Sequence, residues 1–256
     1  MLWGVVFAAA VAAAAWRARA LTADGAVAAW LVGSATFGAG GWPAAAVLFA
    51  FFVPSALLSR IGSARKRALK DAGKDGPRDA RQVFANGGVA AVCALLASHG
   101  SAAFAAAFAG AFAAAAADTW ATEIGVLSSH PPRSILTLRR VATGLSGGIT
   151  AAGTGASIAG AAVVALCASA TGVAPFAPVV FAGIAGSLAD SAIGAALQAL
   201  RWCPQCERAC ETNPHACGSP TRLHHGVAWM DNDAVNFAAT LGGALVAALL
   251  FFALGA

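Results

Sequence analysis

Charge is what this sequence lacks. Of its 256 residues only 11% are Asp, Glu, Lys or Arg, against 59% hydrophobic ones, and the mean hydropathy is +0.73. A soluble globule of this size needs more charge to keep its surface in water, so the composition excludes one and leaves a polytopic membrane protein. Whole stretches hold no Lys or Arg, among them 38–43, 98–101 and 171–175. The first apolar run has no cation before it, unlike a signal peptide, and reads as a retained helix. No Gly-Lys-(Ser/Thr) closes the glycine-rich segment near residue 147, which excludes a Walker phosphate loop there.

What is present is a set of eight apolar runs, near 2–15, 25–37, 44–58, 83–97, 102–127, 149–170, 176–200 and 234–254. Several fall short of a full crossing, so seven spans or re-entrant segments stay open. All 16 Lys and Arg lie in the connections after the first, third, fifth and seventh runs. By the positive-inside rule those connections are cytoplasmic and both termini lie outside a cell membrane. The expected fold is all-α: one integral membrane domain over residues 1–256, a bundle of about eight transmembrane helices. A basic cytoplasmic loop at 60–82 and a cysteine-rich cytoplasmic loop at 201–231 accompany it.

Two carboxylates stand out because each closes an apolar run. Ala117-Asp118-Thr119 leads into Thr122 and Glu123, and Ala189-Asp190-Ser191 repeats the pattern later in the chain. On a helix, Asp118, Thr119, Thr122 and Glu123 spread over one arc, with Trp120 and Ile124 opposite. A carboxylate at membrane depth costs ~2.5–3.5 kcal/mol on insertion scales, so it faces protein, water or an ion. The matched pair suggests a weak internal repeat that sets two carboxylates about one centre.

Other polar groups gather at the same ends. Thr22 and Asp24 suit a helix cap. The first half of the basic loop reads as a face for anionic lipid headgroups. Its second half carries Arg78, Asp79, Arg81 and Gln82, and Asn86 follows on the stripe of Asp79 and Gln82, inside the apolar run before Gly87-Gly88. Arg139-Arg140 precedes Ser146-Gly147-Gly148 and Thr150; fork-shaped guanidinium groups and exposed glycine amides together suit phosphate. Asp231, Asn232, Asp233 and Asn236 open the last span, and Asn236 lies too deep to serve as a cap. Cys203, Cys206 and Cys217, with His215 or Cys210 as a fourth group, have the spacing of a structural zinc staple on a reducing face. Cys93 and Cys167 read as packing residues.

Oxygen-rich groups from four helix ends suit Mg²⁺, which binds carboxylates together with water and substrate phosphates. Phosphoryl transfer needs chiefly positioning and charge neutralisation, and lipid-facing helices would admit an isoprenoid chain. The ordered set Arg-Asp-Ala-Arg-Gln-Val-Phe-Ala-Asn-Gly-Gly, Ala-Asp-Thr-Trp-Ala-Thr-Glu-Ile-Gly, Ser-Gly-Gly, Asp-Ser-Ala-Ile-Gly-Ala, Cys-Pro-Gln-Cys with His-Ala-Cys-Gly, and Asn-Asp-Ala-Val-Asn resembles the integral-membrane phytyl-phosphate kinase family. The likeness runs from about residue 21 into the last span, and Cys210 departs from it. It implies a membrane kinase that uses a nucleoside triphosphate, CTP by analogy, with Mg²⁺, to convert a prenyl monophosphate to the diphosphate. It implies Asp118, Glu123, Asp190 and Asn86 in the chemistry, Asp118 and Asp190 on the metal. The implied nucleotide and phosphate contacts are Arg78, Arg81, Arg139, Arg140, Ser146, Gly147, Gly148, Thr150, Asn232, Asp233 and Asn236. The expected partners are the nucleotide, a prenyl phosphate and the membrane, with no nucleic acid; a homodimer stays open. A CDP-lipid-forming cytidylyltransferase and a prenyl-phosphate transporter are the competing readings.

Overall fold

The computed structural model describes residues 2–62, 66 and 76–255. Arg65, Arg67, Lys70 and Lys74 of the basic loop lie outside the described residues. The described chain is a helical bundle of seven elements: α1 (Leu2–Arg17), α2 (Ala23–Leu58), α3 (Ala80–Ala97), α4 (Ala102–Gly125), α5 (Ala151–Ala170), α6 (Phe176–Leu197) and α7 (Asn232–Ala253). The last six are long and apolar enough to cross a bilayer, and α1 is a shorter apolar helix. The protein is therefore a polytopic helical membrane protein. Side chains at the starts define the boundaries: Thr22, Asp79, Ser101, Thr150 and Asp231 each accept a backbone N–H from their helix's first turn.

Seven helical elements stand where eight spans were expected, and the runs at 25–37 and 44–58 form the two limbs of α2. A straight helix of its 36 residues would be about 54 Å long. Yet Arg60 Nη2, just past its end, donates to Ala18 O, just before its start, at 3.3 Å. The element therefore folds back, and it does so at Gly41, whose φ of 58° and ψ of −149° are not helical. Only glycine adopts that backbone without strain. Pro43, two positions on, suits the first turn of the returning limb, where its missing N–H is no loss. Phe7 packs against Phe37, Trp42 and Phe49 around this turn.

Helix α4 is the axis. Every residue from Ala106 to Ala117 is buried, the pattern of a helix surrounded on all sides. Its neighbours come close because they present glycine. A Cβ added at Gly110 would sit 2.4 Å from Ala247 Cβ and 2.7 Å from Gly243 O. Gly183 and Gly186 on α6 meet Ala113 and Ala114, and Gly160 on α5 meets the Ala116 carbonyl. In lipid this small-residue fit supplies the attraction between helices. Phe51 stacks on Phe112 where α2 joins the core, and Thr240 on α7 donates to Ala85 O of α3 at 2.9 Å.

All-α holds for the membrane part and fails for the connections. β1 (Arg133–Ser134) pairs antiparallel with β2 (Gly148–Ile149). Between α6 and α7, β3 (Leu200–Cys203) lies between β4 (Arg208–Cys210) and β5 (Arg222–His225), both antiparallel to it. Strands of two to four residues are too short to show an alternating pattern in sequence.

The fit around α4 yields a direct test. Gly110→Ala should lower the melting temperature in detergent by several degrees, at an overpacking cost of about 1–3 kcal/mol, because a backbone carbonyl blocks the methyl. Gly242→Ala, with nothing within 4 Å, should be neutral or stabilising. Equal effects of the two substitutions would contradict this packing.

Candidate functional site

Where the charged connections meet the helix ends, a cavity of about 1330 Å³ opens. Asp118 is the first residue of α4 beyond the buried run, and it lines the cavity with Asp190 of α6. The two carboxyl groups are in hydrogen-bond contact. Both lie about two turns before the ends of their helices, where the backbone N–H groups are already used within the helix. Neither carboxylate is capping a helix. With its amide nitrogen turned toward Asp190, Asn236 Nδ2 lies 3.1 Å from Asp190 Oδ2 and 3.3 Å from Asn232 O. Asn236 thus lines the cavity beside Asp190, within reach of the carboxylate. Asn86 lines the same cavity and donates to Gln82 O at 2.9 Å.

Cations surround this centre on unequal terms. Glu123, one turn beyond Asp118, is paired with Lys66, which also donates to Leu58 O at 2.9 Å. Arg81 donates to Asp231 Oδ2 at 2.8 Å and stands 3.8 Å from Asp233 Oδ2, so its charge is engaged by the start of α7. Arg78 is half-buried in the wall and makes no ion pair among the described residues. Desolvation holds its guanidinium below the usual range, and Glu123 pulls the other way. An anion in the cavity would relieve that cost.

The glycine-rich segment forms part of the roof. Ser146, Gly147, Gly148 and Thr150 all line the cavity, but not as a free row of amide donors. Ser146 N donates to Glu211 Oε1 at 2.7 Å, and Gly148 N donates to Leu145 O at 3.3 Å. Thr150 caps α5 through Gly153 N at 3.0 Å. Gly147, with φ of 77°, presses so closely on Ala195 that a Cβ would meet it at 2.4 Å. Glu211 reaches across from the cysteine-rich segment, and its second oxygen accepts from Gln198 Nε2 at 2.9 Å. Burial pushes the Glu211 carboxyl above the usual carboxylate range, against the pull of the Ser146 N–H and the Gln198 amide.

Several expected residues fall elsewhere. Arg139 and Arg140 are exposed and do not line the cavity. Asp79 and Gln82 form a reciprocal capping box, and Asp231 caps α7. Asp24 accepts from Ala80 N at 3.1 Å and ties the starts of α2 and α3 together. Asn232 and Asp233 line the cavity at the start of α7. Cys203, Cys206, His215 and Cys217 gather in a cluster outside the cavity. The residues that sequence reading missed are Lys66, hidden in a basic run, and Glu211, whose partners lie 65 and 13 positions away.

Two carboxylates in contact cannot both stay ionised unless a cation or a proton lies between them. An all-oxygen donor set facing open space fits a hard divalent ion such as Mg²⁺. The arrangement can therefore hold a metal at Asp118 and Asp190 and an anion beside Arg78.

Residues 6–244 match the family described as integral membrane protein DUF92, and the chain belongs to that family. It is 29% identical to Protein PGR of Arabidopsis thaliana over 94% of this chain and 92% of that one. An uncharacterised membrane protein of Methanocaldococcus jannaschii is 31% identical over 70% of this chain and 75% of its own. Another from Synechocystis is 30% identical over 66% of this chain and 69% of its own. No solved structure matches the chain.

The carboxylate pair predicts a stability effect independent of any activity. Mg²⁺ should raise the melting temperature of the detergent-solubilised protein, since a ligand bound only by the folded state stabilises it. Asp190→Asn should abolish that rise without lowering the baseline measured in EDTA. A Mg²⁺ response that survives in Asp190→Asn would remove the pair as the metal site.

Proposed function

We propose that this member of the integral membrane protein family DUF92 is a phosphotransferase. It moves the terminal phosphoryl group of a nucleoside triphosphate, CTP on the resemblance of its motifs, onto a prenyl monophosphate. The observation that carries the reading is the contact of Asp118 with Asp190 at the mouth of two membrane helices, in a cavity bordered by Arg78 and Lys66. A bound Mg²⁺ would neutralise phosphate charge and hold the nucleotide for in-line attack.

The chain's own residues then have separable tasks. Asp118 and Asp190 would hold the metal, and Asn236 fixes the rotamer of Asp190. Arg78 supplies a guanidinium for the phosphates. The attacking oxygen belongs to an anionic monophosphate, so no side chain has to remove a proton from it. The bond from the terminal phosphorus to the bridging oxygen breaks, a bond to the acceptor oxygen forms, and the nucleoside diphosphate leaves. Glu123 is thereby relieved of a base's role, in keeping with its pairing to Lys66.

An apolar acceptor also has a place to go. A crevice of about 90 Å³ between α1, α2 and α3 is lined by Phe7, Val32 and Phe51, and it shares Phe52, Arg78, Gln82 and Asn86 with the cavity. A phosphate in the cavity thus has hydrocarbon lining beside it for the first carbons of its chain. Among the described residues no part of α4 before Asp118 lines the cavity, which favours chemistry at one face of the bundle over passage across it.

The test is purified protein with radiolabelled CTP or ATP, Mg²⁺ and a panel of prenyl monophosphates. Prenyl diphosphate and a nucleoside diphosphate are the expected products; pyrophosphate release would assign CDP-lipid formation instead. Asp118→Asn and Asp190→Asn should each lose ~10²–10³-fold in rate, several kcal/mol of charge stabilisation, while staying folded. The double variant should be little worse, because the two act as one unit.

A further inference from the structure

We propose that Cys203, Cys206, His215 and Cys217 bind a zinc ion, and that the ribbon this zinc closes holds Glu211 in place as a clamp on the cavity roof. The proposal does not rest on the phosphotransferase reading. One ligand atom from each of the four residues lies within 4.8 Å of all the others. Cys203 Sγ and Cys217 Sγ are 3.7 Å apart, and His215 Nδ1 is 3.0 Å from Cys217 Sγ. Tetrahedral zinc with bonds of ~2.3 Å to sulfur and ~2.0–2.1 Å to nitrogen sets ligand separations of about 3.8 and 3.6 Å. The sulfur pair already has that spacing, and the imidazole needs to move by roughly half an ångström.

The backbone is shaped for the same ion. Cys203 ends β3, and the turn Pro204-Gln205-Cys206-Glu207 returns the chain into β4 with Cys203 opposite Arg208. The second pair sits on its own turn, where Gly218 N donates to His215 O at 2.8 Å and Gly218 has φ of 84°. Cys210, the other candidate for the fourth ligand, has its thiol against Thr212 O at 3.7 Å.

Burial explains why an ion is needed. Between residues 201 and 230 the buried side chains are Cys203, Cys210 and His215; Trp202, Leu223 and Trp229 are exposed. A three-stranded sheet of such short strands has no apolar core, and small segments of this kind are held by metals or disulfides. Glu211 lies between the two ligand pairs and directly follows β4. Its carboxylate binds Ser146 N and Gln198 Nε2, so the ribbon's fold sets the position of the segment carrying Gly147. Loss of zinc would release the roof without touching Asp118 or Asp190.

The experiment uses full-length protein purified in detergent without chelator. Metal analysis should find one zinc per chain, lost in Cys203→Ser and Cys206→Ser and retained in Cys93→Ala and Cys167→Ala. Cobalt substitution should give sulfur-to-metal charge-transfer absorption. Hydrogen exchange at 143–148 should quicken when a chelator removes zinc. Glu211→Ala should quicken the same amides while keeping its zinc. Absence of zinc even after incubation with ZnCl₂, or a Cys203–Cys217 disulfide by mass spectrometry, would overturn the metal site. Unchanged exchange at 143–148 on zinc removal would overturn the clamp.

Discussion

The closeness of helix α4 to its neighbours is the constraint on which everything else rests. A run of alanines faces glycines on α5, α6 and α7, so the separation between helices is set by methyl groups and backbone oxygens. In lipid no hydrophobic drive pulls helices together, and contact at this range supplies the attraction in its place. The close approach also fixes rotation. Gly183 and Gly186 can lie against Ala113 and Ala114 in one orientation only, and that orientation turns Asp190, one turn later, toward Asp118.

At the charged end, position along the helix sorts the polar residues into two kinds. Thr22, Asp79, Thr150 and Asp231 stand at helix starts, where four N–H groups want acceptors, and each is consumed by capping. Asp118 and Asp190 stand toward the other ends of their helices, where every backbone N–H is already used. The first kind holds the scaffold together; the second is left for a ligand. The same sorting separates Arg81, engaged by Asp231, from Arg78, which makes no ion pair among the described residues.

This sorting also explains what could be read in the sequence. Asp118 and Asp190 were legible because carboxylates are rare beside apolar runs and their surroundings repeat. The helix pairs were legible from the even and odd connections, and the two runs on either side of Gly41 are the limbs of α2. Asn236 was legible as a cavity residue because it lies too deep to cap its helix, but its contact with Asp190 was not. Arg139 and Arg140 looked like phosphate ligands from adjacency alone, and the structure leaves them exposed outside the cavity. Glu211 was not legible, since nothing local marks a carboxylate that will meet an amide 65 positions away. Lys66 carries no mark that sets it apart from the basic residues beside it.

The uncharged turns at the far end bear on how the chain is built during synthesis. The limbs of α2, the pair α3 and α4, and the pair α5 and α6 are each joined there by a few residues without Lys, Arg, Asp or Glu. A hairpin of that kind can enter a bilayer as a unit, since no ionic group has to be dragged through hydrocarbon at ~2.5–3.5 kcal/mol apiece. Three such hairpins could be laid down one after another as the ribosome releases them, each leaving its charged flanks on the side where it began. The charged loops that border the cavity then never have to cross the membrane.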